Sequence, residues 1–189
     1  MQSMFLNRLD IDSEAVLSPT GLCDLIQKEY QPEIISSCKL IEKYFSTHAY
    51  INELPSPVSE VVQLLFRKLD DELKHLFLKE SGIVFPYIKK NYHNTKKSTG
   101  NKVDPKVFDS VQHTHQTIIT LIQNIRKLLN NYVVKSSSGK EWKQCVSELF
   151  TLESHIFQWI HIEQSLLYPK VINLKIADLR KNNHKQALN

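Results

Sequence analysis

The chain has 189 residues, a formal charge of +4, 41% hydrophobic and 23% charged residues, and only four glycines. That length supports one domain with a sizeable core, and the composition favours helices over strands. No apolar run approaches the ~20 residues of a membrane span. The opening residues lack a secretory layout. Three widely spaced cysteines, Cys23, Cys38 and Cys145, argue against a disulfide framework or a cysteine zinc site, so a reducing cytoplasm is the expected setting.

Four segments carry helical spacing. The first spans roughly 19–50, capped by Ser18 or Thr20, with Ile26, Tyr30, Ile34, Ile41 and Phe45 on one stripe. "NELPSP" breaks it. The second spans roughly 57–90, with Val58, Val62, Leu65, Leu69, Leu73 and Leu76 on one face. Lys89 to Lys106 then holds six lysines and one aspartate and reads as a solvated basic loop, about 89–104. It lacks aromatic–basic interleaving, so no nucleic-acid partner is expected. The third segment spans roughly 104–134, with Asp104 as cap, Pro105 at its first position, and a stripe of Val111, Ile118, Ile122, Ile125 and Leu129. "KSSSG" breaks it. The fourth spans roughly 139–172 through Val146, Leu149, Leu152, Ile156, Glu163 and Leu167, and a tail of about 173–189 follows. Two short-turned hairpins joined by a long loop predict an all-α, up-down-up-down four-helix bundle in a single domain, with a core of about 19–172.

Two glutamates stand on the apolar stripes. Glu80 follows Leu73 and Leu76, and Glu163 follows Ile156 and Trp159; each precedes a proline, Pro86 or Pro169, by six residues. A carboxylate facing a core is costly unless it is paired or metal-bound. His115 meets the same test on the third stripe. Counting from the two turns at ~1.5 Å per residue brings Tyr30, Glu80, His115, Trp159 and Glu163 to one layer. Glu80, His115 and Glu163 are therefore the expected ligands of one divalent metal. Secondary candidates are His75, Tyr30 and His155. His75 lies one helical step, about 100°, from the inward Leu76, so only a π-bulge would turn it inward. His155 precedes Glu163 by two turns. His113 and His161 read as surface residues, His48 as a turn-end residue, and His93 and His184 as loop and tail. A buried hydrogen-bonded network without metal is the competing use of the same residues.

The stretches "KESGIVFPYI" and "IEQSLLYP", the "QHTHQ" of the third helix and the hairpin–loop–hairpin order resemble the hemerythrin-like repair-of-iron-centres proteins. The resemblance covers about residues 20–170. It implies a four-helix bundle with a non-haem iron site, a role in nitrosative or oxidative stress or in iron–sulfur cluster repair, and damaged iron–sulfur proteins as partners. That family carries His-x-x-x-Glu on helices two and four and one histidine on each of helices one and three. Glu80, Glu163 and His115 match. Leu76, Trp159 and Tyr30 stand at the other three positions, so the resemblance implies one iron ion rather than two. The alternative is a metal-free bundle that serves as an interaction or regulatory module.

Overall fold

The computed structural model describes residues 16–47, 53–93 and 105–171. Helix α1 consists of Pro19–Leu25, a π segment Ile26–Tyr30, and Gln31–Ser46. Helix α2 consists of Ser56–Lys79, a π segment Glu80–Val84, and Phe85–His93. Helix α3 is Pro105–Leu128. Helix α4 runs from Lys140–His161 through a π segment Ile162–Leu167 and continues to residue 171. The fold is the helical bundle that the spacing predicts, with no strand among the described residues. Ser18 is the cap of α1, its Oγ accepting the Gly21 N–H at 3.1 Å.

Two boundaries differ from expectation. Helix α2 extends to His93, so Lys89 and Lys90 are helical rather than part of the basic loop; residues 94–104 lie outside the described residues. Helix α3 ends at Leu128 rather than near 134. Asn130, Asn131 and Tyr132 follow with φ of 50°, 55° and 65°. Asparagine visits this left-handed region more readily than most residues, and two in succession end the helix before "KSSSG".

The three π segments share one sequence feature. Each is followed by one residue and then a proline: Gln31-Pro32, Phe85-Pro86 and Tyr168-Pro169. The N–H groups of Gln31, Phe85 and Tyr168 bond the carbonyls of Ile26, Glu80 and Glu163, five residues back. A proline ring inside a regular helix strikes the carbonyl four residues earlier. A wider turn just before it relieves that clash and inserts one residue into the helical phase. Helix α3 has no proline after its first residue and stays regular.

Antiparallel partners are visible in the side-chain pairs. Gln27 meets Lys89 across α1 and α2, Ser37 meets Glu148 across α1 and α4, and Arg126 meets Glu153 across α3 and α4. Helix α2 packs most closely along α3, and α1 along α4. One core cluster joins all four helices and includes Ile34, Leu69, Ile122 and Leu152, none more than 2% exposed. The two hairpin turns are tied together at one end by Glu53, which accepts the Gly139 N–H and the Ser138 O–H, both at 2.7 Å. Those bonds, Gly139 first, hold the Glu53 carboxyl below its usual range. A depressed folded value means that its stabilisation is present above the ordinary carboxylate pKa and fades as pH falls through the folded value. Glu53→Gln should therefore melt below the parent at neutral pH, and the gap should close in acid; a gap that persists unchanged in acid would show that the carboxylate charge is not what holds the turns.

Candidate metal centre

Glu80, His115 and Glu163 come from α2, α3 and α4, and each is 0% exposed. One potential ligand atom from each lies within 4.8 Å of those from the other two. His115 Nε2 is 2.9 Å from Glu163 Oε2, yet it makes no directed hydrogen bond, and Glu80 Oε1 and Glu163 Oε1 have no partner either. Three fully buried side chains on three helices thus converge, and each keeps a polar atom without a hydrogen-bond partner. Unsatisfied buried groups of this kind are costly. A cation bonded at ~2.0–2.2 Å to imidazole nitrogen and carboxylate oxygen would satisfy all three. The donor set therefore fits a metal ion.

Other side chains orient these three. Tyr168 O–H donates to Glu163 Oε2 at 2.9 Å, and Gln31 Nε2 donates to Glu80 Oε2 at 2.9 Å. Gln164 lies 3.3 Å from His115 Nδ1. With the Gln164 amide turned to present its oxygen, Nδ1–H donates to it and Nε2 is left as a lone-pair donor for an ion. Burial first, and then the neighbouring Glu163 carboxylate, push the Glu80 carboxyl well above the usual carboxylate range, with the Gln31 N–H opposing. Burial and Glu163 likewise raise the Tyr168 phenol.

The elevated Glu80 value has a defined consequence in metal-free protein. A carboxyl whose folded pKa exceeds its unfolded value stabilises the fold in its protonated form, and that contribution is lost as pH rises through the folded value. Denaturant melts of metal-free protein at successive pH values should show stability falling above the ordinary carboxylate range, and Glu80→Gln should flatten the slope. An identical slope in Glu80→Gln would place its origin elsewhere.

The secondary candidates fall outside the cluster. His75 is exposed, and Leu76 is buried in the position facing the core. A π turn does occur at this point, but its extra residue falls after Glu80, between Glu80 and Phe85, so the phase from His75 to Glu80 is unchanged. His155 lies on the α1–α4 seam with Nε2 3.6 Å from Glu33. Tyr30 is buried, but Gln31, which follows it, is the α1 side chain bonded to Glu80. The π turn at Ile26–Tyr30 advances the phase by one residue and moves Gln31 onto the site. His113 and His161 are exposed, as expected. His93 ends α2 rather than sitting in a loop; His48 and His184 lie outside the described residues. Trp159 is fully buried, edge-on to His115 with ring centroids 5.2 Å apart, and its N–H has no partner. Sequence reasoning missed Gln31, Gln164 and Tyr168. Gln164 and Tyr168 were visible as the residue after Glu163 and the aromatic before Pro169, but they carried no ligand signal of their own.

Cys23, Cys38 and Cys145 are free and buried. Burial pushes Cys23 and Cys145 up to about 12 and raises Cys38 as well. These thiols stay protonated at neutral pH and are poor nucleophiles.

Residues 38–171 match the model of the hemerythrin HHE cation binding domain. The chain belongs to that family. Glu80, His115 and Glu163 all lie within the matched region; Gln31 precedes it. Relatives include the iron-sulfur cluster repair protein ScdA of Staphylococcus haemolyticus, 23% identical over 156 residues, which cover 82% of this chain and 68% of the relative. A probable iron-sulfur cluster repair protein of Haemophilus influenzae is 27% identical over 149 residues, covering 78% of this chain and 60% of the relative. Among the described residues no helix is long and apolar enough to cross a membrane.

Proposed function

We propose that this chain is a single-domain, iron-binding member of the hemerythrin HHE family. In this reading it holds one iron ion through Glu80, His115 and Glu163 and acts in the cytoplasm in the repair of iron–sulfur proteins under nitrosative or oxidative stress. The observation that carries the reading is the convergence of three fully buried residues on three helices, each with an unpartnered polar atom. The names of the two relatives support the repair role. Bound iron would supply a one-electron redox centre or a deliverable ion. The chain's part is to hold it: Tyr168 and Gln31 fix the two carboxylates, Gln164 fixes the imidazole tautomer, and the apolar wall keeps bulk water out.

Elemental analysis of protein purified from iron-supplied cells tests the site, with about one iron per chain expected from three inward ligands. Mixing the loaded protein with an oxidatively damaged iron–sulfur enzyme tests the role: recovery should require the parent and fail with Glu163→Gln. The second reading is a metal-free interaction module. It is favoured by Leu76 and Trp159, apolar side chains buried one turn before each glutamate. Protein without metal after iron supply, and unaltered by added iron, would support that reading.

A further inference from the structure

We infer that metal ions reach the buried centre through a polar seam between α1 and α2, with Lys89 beside its mouth and Gln31 closing its inner end; this rests on the metal reading above. The seam is a continuous chain of side-chain bonds. Lys89 Nζ bonds Asp24 Oδ1 and Gln27 Oε1, both at 2.8 Å. Gln27 Nε2 donates to Ser81 Oγ at 3.3 Å, and Ser81 Oγ donates to Gln31 Oε1 at 3.4 Å. Gln31 Nε2 donates to Glu80 Oε2 at 2.9 Å. Exposure falls along the last steps: Ser81 is exposed, Gln31 is 6% exposed and Glu80 is 0% exposed.

A divalent ion cannot cross apolar packing without replacing the oxygens of its water shell. This seam offers oxygens in sequence: Ser81 at the mouth with Asp24 and Gln27 beside it, then Gln31, then Glu80. The mouth already carries a positive charge, because the Lys89 ammonium sits between the Asp24 and Gln27 oxygens. Lys89 is on a long flexible stem with its side chain 33% exposed, so it can swing away. Gln31 is the last side chain before Glu80, and rotation of its amide presents an oxygen to a passing ion. Gln27 and Ser81 both lie in π segments, where the two backbones are widened at the same level. Among the described residues, Gln164 is another polar side chain that links an exposed position to one of the three donors. It meets His115 at Nδ1, whereas Glu163 lies at Nε2, so a path there would arrive at the wrong edge of the imidazole.

Stopped-flow mixing of the metal-free chain with Co(II), read by quenching of tryptophan fluorescence in a Trp142→Phe background that leaves Trp159 as the reporter, tests the seam. Lys89→Met should take up Co(II) several-fold faster. Gln27→Leu combined with Ser81→Ala should slow uptake about tenfold or more, the loss of a charge-assisted contact at the barrier. Release to a chelator should slow by the same factor, so that stoichiometry and Kd match the parent. Circular-dichroism melts establish that each variant is folded. A parent that binds Co(II) while the seam variants keep parental rates, or while only Gln164→Leu slows uptake, overturns the route and leaves the site intact. A parent that binds no Co(II) overturns both.

Discussion

Stripping the metal from loaded protein with a chelator should lower the melting temperature by roughly 8–16 °C, and His115→Ala should abolish that response. The magnitude follows from mass action. An ion that binds only the folded chain stabilises it by about 4 kcal/mol at a thousand times its Kd. In a chain of this length each 1 kcal/mol moves the midpoint by roughly 2–4 °C. His115 is the only nitrogen donor of the three and supplies the α3 side of the site, so its removal leaves two carboxylates from α2 and α4. Burial first, and then the Glu163 charge, raise the Glu80 carboxyl, so two ionised carboxylates facing each other there are disfavoured. His115→Ala also leaves a cavity and will melt lower for that reason alone. The informative quantity is therefore the difference with and without chelator within each variant. A parent that melts identically in both conditions would sink the metal reading and favour a buried hydrogen-bonded network in its place.

The bundle was legible because its periodicity is strong. Every residue named on the first, third and fourth stripes is buried, and on the second only Val58 and Leu65 are half-buried. The breaks were legible because "NELPSP" and "KSSSG" concentrate turn formers. Buried glutamate and histidine on apolar stripes pointed to Glu80, His115 and Glu163, which the fold brings within 4.8 Å. The phase across the π turns was not legible to a count of 100° per residue. That count selected Tyr30, and the inserted residue delivers Gln31 instead. The signal was present: Pro32, Pro86 and Pro169 each sit two residues beyond a widened turn. The predicted helices instead ran through all three prolines with an unbroken step of about 100°, because nothing local shows how a helix absorbs an interior proline. Helix α2 does run past Pro86, as its spacing predicts, and reaches His93. Gln164 was hidden by its type, since a glutamine beside a histidine gains meaning only once the third and fourth helices are docked.

Trp159 is expected to govern both stability and metal number, and the two effects are separable. Its indole is fully buried, edge-on to His115 and to Phe77 at centroid distances of 5.2 and 5.0 Å. Trp159→Ala should cost ~3–5 kcal/mol through lost contacts and a cavity that this packed layer cannot collapse. Metal number depends instead on donors. Leu76 and Glu80 are four residues apart with the Glu80 N–H bonded to the Leu76 carbonyl, and Trp159 and Glu163 are four apart where the π segment of α4 opens at Ile162. Side chains four apart share a face, so Leu76→His with Trp159→His would aim two imidazoles where a leucine and an indole now pack. Each glutamate has a second oxygen, unpartnered at Oε1, with which to serve another ion. The double variant should therefore be less stable than the parent without metal, regain stability on loading, and hold about two ions where the parent holds about one. Trp159→Ala should lose stability and keep the parental count. A double variant that still holds a single ion would mean that Leu76 and Trp159 fill core volume without standing in place of ligands. A parent that holds two ions would overturn the single-ion assignment, since Glu80, His115 and Glu163 would then share the work with a donor that the layer does not contain.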